Sequence, residues 1–592
     1  MAAVPTATSK TALVTPPGKR GSQGLYLTVG VTGHRNLVAA EVPVLRANLT
    51  EFFRGLKRDF PELPLQLITP LAEGADQLAA EVALSEGVSI VTVLPMVQAE
   101  YERDFTTPEA VSAFRAMLEK SDEVIVLPPV KTGLQTPYSA HDRAIQYAQL
   151  GVFTSDHTQV LLALWDGKPC TKIGGTGQVV HYHLTGVMDG FEGDPTPAGL
   201  LADNENDLVY HLVCSRDQDD GGPIAGKTAG EAWWFSSREE VEPSYRLPDL
   251  YREMLGRLER FARDWQEKPE VIRSRGYDLL ADAPEALEKP SGAWLTNTLF
   301  QAADGLAIHY QRRVFGSLRA MHVMAILMGV LFLVYSEFDG PDYMVLVFLG
   351  MFFAGVVLYL IGNNHQWHRK YLDYRTLAEG LRVQLYWSLS GVVEEEWAGF
   401  AYDNFLVKQD ADLGWVRHAM RQASMYRIRG VSPDPAWLSW VVAQWVGDAN
   451  GEGGQLQYYS RKESQNTARF RRTQRLGSLC LWIGIATAAS MYFLGPIATE
   501  EQQNLLLVLM GLLPLVAGIW DAYSHKKAEK ELIKQYGFMR RVFGKAQKLV
   551  NESSDLAFQR QVLRALGQAA LDEGAEWLLI HRERPLEHGR LS

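Results

Sequence analysis

Four short segments hold most of the residues whose types and spacing suit chemistry: Gly33-His34-Arg35, Glu73-Gly74-Ala75-Asp76, Asp166-Gly167 and Gly174-Gly175-Thr176-Gly177. Glycines placed ahead of a helix let backbone N–H groups close on an anion, and the positive end of the helix dipole favours negative charge there. Arg35 suits bidentate pairing with a phosphate. Glu73 or Asp166 suits ribose hydroxyls, the role an acidic residue takes in other doubly wound sheets. Tyr101 adds an aromatic ring in a loop with Arg103 and Asp104. Together these residues suit the phosphate and ribose groups of a ligand, with no assigned catalytic residue and no metal. Each has a structural alternative: Asp76 as a helix cap, Gly74 and Gly167 as turn formers.

The elements around these loops alternate. Apolar, β-forming runs at Leu25–Val31, Leu65–Thr69, Val88–Leu94, Glu123–Leu127 and Gln159–Trp165 read as strands, and Leu208–Cys214 as one more returning to the sheet. Between them, helical spacing runs over Val42–Phe60, Gln77–Ser85, Ser139–Leu150 and a short stretch from Gln178. Thr106-Thr107-Pro108-Glu109 opens another helix in the manner of a capping box. This alternation predicts an α/β, Rossmann-like, doubly wound parallel sheet with helices on both faces. Ligands on such sheets sit at the carboxyl ends of the strands, where the four segments fall. Most of 188–230 reads as loop, and Leu247–Ile272 as a single amphipathic helix.

A different pattern governs the rest. Ala320–Tyr335 and Tyr343–Ile361 are uncharged apolar runs around an acidic break at Glu337, Asp339 and Asp342. Leu476–Leu494 and Leu505–Trp520 repeat the arrangement around Glu500 and Glu501. A helix needs roughly 20 apolar residues to cross a bilayer core, so the expectation is an all-α membrane domain of four transmembrane helices in two hairpins. The bland alternative is a set of buried core helices. Charge bias argues against it: Arg312, Arg313 and Arg319 precede the first hairpin and Arg369 and Lys370 follow it, while Arg469, Arg471, Arg472 and Arg475 precede the second and Lys526, Lys527 and Lys530 follow. Basic flanks stay cytoplasmic, which puts both termini and the central connector on that side. Gly316-Ser317-Leu318 and Gly477-Ser478-Leu479 suggest a degenerate duplication. The spans carry no acid, lysine or arginine, which removes the usual hallmark of proton relays and transporters. Gly350 with Ala354 and Gly484 with Ala488 have packing spacing, and Pro514 predicts a kink. Leu295–Arg319 is expected to run unbroken into the first span. Trp437, Trp440 and Trp445 in the connector fit either an interfacial helix or a buried one.

The net charge of −11 over 592 residues offers no obvious general nucleic-acid partner, and none is expected. Cys170, Cys214 and Cys480 have no metal-ligand spacing and fit a reducing compartment. Residues 1–23 are polar and rich in proline and small side chains, with no apolar core. They read as a disordered tail rather than a signal peptide.

VGVTGHR, LAEGADQLAAEVAL, LPM with Tyr101 and Asp104, LALWDGKP and GGTGQVV occur in the order of a SLOG domain, which the segment Leu25–Arg216 resembles. SLOG is the Rossmann-like fold of the SMF/DprA proteins and the LOG hydrolases. The resemblance implies binding of a nucleotide-derived ligand, such as an ADP-ribose derivative or a cyclic nucleotide, and no other cofactor. LOG-type hydrolases carry a glutamate shortly after the glycine-threonine turn. Here Gln178, Val179, Val180 and His181 follow, which favours a sensor over an enzyme. TLAEGLR after the first hairpin and ADGLAIHYQRR before it resemble the SLATT family of two-span effectors, with a likeness from Leu295 to about Leu549. The expected organisation is a tail over 1–23, a SLOG-like domain over 24–290, a first SLATT-like hairpin over 291–390, a connector over 391–454, a second hairpin over 455–550, and a terminal helix and tail over 551–592. The resemblances imply a multi-pass protein of the bacterial inner membrane whose homo-oligomer perturbs the bilayer, as a pore or otherwise, in anti-phage defence. A membrane-tethered nucleotide hydrolase using Glu73 and Asp76, and a constitutive scaffold, are the alternatives.

Overall fold

The computed structural model describes residues 24–130, 137–169, 172–191, 207–239, 241–285, 292–338, 340–392, 413–425, 434–448, 450 and 452–583. The tail at 1–23, the polar stretch 192–206, Cys170, Asp339, much of the connector (393–412 and 426–433) and the last residues from 584 lie outside that set. The chain forms two compact units.

The first unit is built on a seven-stranded sheet. Its strands are β1 (Leu27–Gly33), β2 (Leu65–Thr69), β3 (Ser89–Leu94), β4 (Glu123–Val126), β5 (Val160–Trp165), β6 (Val209–Val213) and β7 (Ala232–Phe235), in the order β4-β3-β2-β1-β5-β6-β7. All pairings are parallel except β6 with β7. Val29 of β1 lies level with Leu67 of β2 and Val160 of β5, and all three are buried. Near-continuous apolar strands are what a sheet covered on both faces requires. β1 and β5 are neighbours although three other strands separate them in the chain, so the strand order reverses at this seam. The crevice at the carboxyl ends of β1 and β5 is the topological switch point.

Two local expectations change, and one strand is new. Thr107, rather than Thr106, caps the helix Pro108–Leu118, its hydroxyl accepting from the Ala110 N–H at 3.1 Å, with Pro108 in the first turn. The amphipathic stretch after Leu247 is two helices, Asp249–Glu267 and Pro269–Arg275. Pro269 has no N–H to continue the first and disfavours helical backbone at Lys268. β7 lies just past the stretch read as loop and has no counterpart in the sequence reading; its Trp234 packs with Tyr210 and Phe52, ring centroids 4.8 and 5.7 Å away, and the strand covers the edge of β6.

The first unit is assembled from separated stretches: besides the sheet region to Lys268 it takes in the described residues 292–299 and 413–425. The Gln422 carboxamide accepts from the Tyr26 N–H at 3.0 Å and donates back to the Tyr26 carbonyl. Met425 is buried among Ile68, Val91, Val93, Leu127 and Leu150. Thr296 donates to the Ala423 carbonyl at 3.2 Å.

The second unit is helical. Four of the described helices are long and apolar enough to cross a membrane: Ala293–Glu337, Tyr343–Asn364, Gly454–Phe493 and Glu500–Lys526. At most 11% of their apolar windows is buried. Leu346 and Trp482 are 70% and 67% exposed. Helices apolar all round yet uncovered are not core helices of this chain, and hydrocarbon is the solvent they match. Ala293–Glu337 is one unbroken helix of 45 residues, as expected. Each hairpin ends in the same joint: Gln366 (φ 51°) before the helix Trp367–Ser390, and Ala528 (φ 50°) before Glu529–Glu552. Both following helices have 24 residues. A non-glycine residue in left-handed backbone is uncommon, so its recurrence at the same place in each half strengthens the duplication beyond the Gly-Ser-Leu triplets. A methyl group on Gly484 would meet Pro514 at 2.9 Å, whereas one on Gly350 would meet nothing, so only the first glycine serves close packing here. Trp437 and Trp445 are buried, and Trp445 stacks on Tyr386 with ring centroids 5.3 Å apart. Trp437 and Trp445 are core residues, in line with the buried alternative, while Trp440 is half-buried and donates to the Asp282 carbonyl at 3.1 Å.

Candidate functional site

A cleft of about 550 Å³ opens at the switch point of the first unit. It is lined by the end of β1 and the turn after it (Val31 to Asn36), by Pro70, Ala72 and Asp76 after β2, and by Lys172 to Gly177 after β5. Ala140, Arg143, Ala144, Tyr147, Leu150, Gly151 and Thr154 form its floor. Their spacing of three and four is one face of the helix Ala140–Asp156.

Of the expected site residues, Gly33, His34, Arg35, Asp76, Gly174, Gly175, Thr176 and Gly177 line this cleft. Glu73, Gly74, Ala75, Tyr101, Asp166 and Gly167 do not, and each has a defined structural place. Gly74 has φ +81°, and a methyl group there would sit 2.2 Å from the Arg35 carbonyl oxygen. The Ala75 N–H donates to the His34 carbonyl at 3.0 Å. Gly74 and Ala75 thus clamp the His34-Arg35 turn from behind. Tyr101 is fully buried, edge-on to Phe105 and Phe114. Asp166 is 1% exposed, pairs with Arg216 at 2.8 Å, and accepts from the Lys168 N–H at 3.0 Å. It fixes the turn at Gly167 (φ +81°), so the ribose role envisaged for it is taken up by structure. Glu73 is occupied as well: its Oε1 accepts from the Thr106 N–H at 2.8 Å and the Thr106 hydroxyl at 2.9 Å.

Of the helices that begin at the cleft, two start at a glycine, and they differ. Ala75–Ser85 is closed off by the backbone clamp just described. Thr176–Thr185 has Gly175 as its N-cap with no side-chain cap, and Thr176 and Gly177 face the cleft. Gly174 (φ +72°) passes so close to the floor helix that a methyl group would lie 2.7 Å from Tyr147 Cβ. Gln178 laces the loop from inside, accepting from the Gly174 N–H at 2.7 Å and donating to the Asp189 carbonyl at 2.6 Å. This helix start can receive an anion.

The Arg35 guanidinium lies over the Tyr147 ring, 5.1 Å from its centroid, with a 3.4 Å contact to the Asp104 carbonyl. Among the described residues it has no ion-pair partner within 4 Å. Tyr147 is itself held by the Asp104 carboxylate, which also takes Arg143 at 2.7 Å. Arg143 continues to Glu100. Asp104 therefore neutralises Arg143 and leaves Arg35 a positioned cation on an aromatic platform. Arg143 and Tyr147 escaped sequence reading, although their i, i+4 spacing on a helix following a strand was visible. Arg216, just past the sixth strand, also borders the cleft.

Asp76 is the unusual acid. It is 6% exposed, with Oδ1 unpartnered among the described residues. Burial pushes its pKa up to about 7, against the pull of Arg35 and the Ala72 N–H. Burial likewise holds His34 below its ordinary range, while Asp166 pulls the other way. Its Nε2 lies 3.1 Å from the Asp166 N–H and 3.3 Å from Asp166 Oδ1. A neutral imidazole accepting the amide proton fits that lowered pKa better than a charged pair does.

Because Glu73 holds the Thr106 turn, Glu73→Ala is expected to lower the thermal midpoint of the full chain through about 1 kcal/mol of lost hydrogen bonding. Glu73→Gln, which keeps the accepting oxygen, restores it. If Glu73 were an essential acid, both variants would lose turnover equally; thermal unfolding beside a turnover assay separates the two roles.

A scan against protein-family models finds no match for this chain, and a search of curated proteins finds none either.

Proposed function

We propose that the first unit is a SLOG-like head that binds a nucleotide-derived anion and that the second is a membrane effector biased by that binding. The observation that carries this reading is the uncapped start of Thr176–Thr185 facing the Arg35 guanidinium across one cleft. A phosphate there would accept backbone N–H bonds and a charge-assisted pair together. The cleft offers room for a nucleotide-sized ligand. An ADP-ribose derivative or a cyclic nucleotide fits the proposal.

In this reading the basic flanks of the spans favour a cytoplasmic side for both termini and the connector, and the SLATT resemblance suggests the inner membrane of a bacterium. The SLATT resemblance supplies the output: association of hairpins into a homo-oligomer that perturbs the bilayer during anti-phage defence. Ligand must then favour the active arrangement by differential affinity. One observation favours a second reading, nucleotide hydrolysis. Asp76 titrates near neutrality at the cleft wall, as a general acid needs. Gln178 stands against it, since the position nearest the LOG glutamate is spent on loop structure.

The test uses the full chain in detergent. Thermal midpoints are measured against ADP-ribose, cyclic mono- and dinucleotides and nucleoside monophosphates, with mass spectrometry of the ligand in the same samples. A rise with intact ligand, weakened roughly 10- to 100-fold in affinity by Arg35→Ala, is the expected result. Conversion of the ligand moves the reading to hydrolysis, and no response to any of them leaves a scaffold.

A further inference from the structure

The second unit holds a large cavity of its own. It encloses about 1280 Å³ among Ala293–Glu337, Gly454–Leu494, Glu500–Lys526 and the helices that follow them. This exceeds the usual range for a compact small-molecule site, about 300–1,000 Å³. Its two ends differ in chemistry. Val323, Ile326, Leu476 and Ile519 form an apolar end, inside the stretches that match hydrocarbon. Arg319, Lys462, Arg469, Arg472 and Lys527 form a basic end, against the single carboxylate Glu529. Trp520 and Tyr523 also line it, close in sequence to the basic flank of their span at Lys526, Lys527 and Lys530.

The charges are not balanced. Glu529 takes Lys527 at 2.8 Å. Arg319 makes only a 3.2 Å bond to the Phe315 carbonyl, and Lys462 stands 5.6 Å from the Tyr458 ring centroid. Among the described residues, Arg319, Lys462, Arg469 and Arg472 form no ion pair. Cations gathered around one partly enclosed space repel one another, and an anion in that space relieves them. A free inorganic anion would satisfy the basic end and leave the apolar end wet. An amphiphile with one anionic head and acyl chains satisfies both. Tryptophan and tyrosine are the side chains found at headgroup depth, and basic pockets between spans on the cytoplasmic side suit acidic lipid heads.

We infer that this cavity binds an anionic phospholipid, its phosphate among Arg319, Arg469 and Arg472 and its chains against Val323, Ile326, Leu476 and Ile519. The inference rests on the spanning helices alone and is independent of what the head binds.

The full chain in neutral detergent tests it. Its thermal midpoint is followed against short-chain phosphatidylglycerol, phosphatidylcholine of the same chain length, and glycerol 3-phosphate. The expected result is a saturable rise with phosphatidylglycerol well above the other two. In Arg469→Gln/Arg472→Gln the apparent affinity falls roughly tenfold or more. Arg469→Lys/Arg472→Lys keeps most of the response and shows that the pair can be replaced without loss of the fold. Arg471→Gln/Arg475→Gln, which removes the same charge from the same helix outside the cavity, leaves the affinity unchanged. Equal rises with the two lipids would overturn the inference, since the anion would not be read. An equal rise with glycerol 3-phosphate would also overturn it, in favour of a free-anion site. So would the absence of any rise, or equal losses in the two Gln pairs.

Discussion

Gly74→Ala should unfold the head far more easily than its single methyl group suggests. The substitution adds strain at φ +81° and forces Cβ to 2.2 Å from the Arg35 carbonyl oxygen and 2.7 Å from that of His34. Those contacts are backbone, so no rotamer change relieves them, and the turn that presents Arg35 must move. Left-handed backbone costs a non-glycine residue about 1–2 kcal/mol, and overpacking adds about 1–3 kcal/mol. Gly186→Ala is the matched control: φ is +73°, yet nothing lies within 4 Å of its methyl group. It should cost only the conformational part, about 1 kcal/mol. Thermal unfolding of the two full-length variants reads the difference directly. Nucleotide response should be lost in Gly74→Ala and kept in Gly186→Ala. Equal destabilisation of the two would mean that the clamp behind the cleft does not constrain the turn.

Asp76→Asn should stabilise the protein at pH 8 and change little near pH 4. A carboxyl whose pKa rises from 3.8 to about 7 on folding holds its proton in the native state while the unfolded chain has lost it. Between those values, stability falls as pH rises, and above about pH 7 both states are ionised and the cost is constant. The shift corresponds to roughly 4 kcal/mol at most. Asparagine keeps an oxygen for the Ala72 N–H and carries no charge to bury. Arg35 partly offsets the cost of Asp76, and Tyr101 is the other titratable group coupled to it. Chemical denaturation across pH 4–9 measures the effect. The same titration bears on binding. An anion beside Arg35 should bind wild type more tightly as pH falls through about 7, while Asp76→Asn should bind it with no such dependence. A wild-type stability profile flat from pH 5 to 8 would refute the raised pKa.

The strands were legible because buried parallel strands are near-continuous apolar runs, and β2 fell at Leu65–Thr69 as read. The spans were legible for a related reason: hydrocarbon leaves no polar face to confuse the pattern. Single residues were harder. Glycines at positive φ look alike in a sequence, yet Gly174 shapes the cleft while Gly74 and Gly167 hold turns behind it. Asp166 and Glu73 have the chemistry of ligand groups, but an arginine and a threonine distant in sequence claim them. Four-residue β7 was too short for any periodicity to register. Arg143 and Tyr147 are set by one helical face and were available to a reader who followed spacing as closely as glycine content.

That Met425 completes the core of the sheet unit has a consequence for how the protein is made. Synthesis proceeds from the amino terminus, and the stretch holding the first apolar hairpin leaves the ribosome before Gln422 and Met425 do. Until then Tyr26 lacks its carboxamide partner and the face formed by Ile68, Val91 and Val93 lacks its cover. The sheet must wait, incomplete, while the first hairpin is handed to the membrane machinery. A completed head is therefore a record of biogenesis: ligand competence would appear only in chains whose first hairpin has already left the tunnel, and prematurely terminated chains would stay silent.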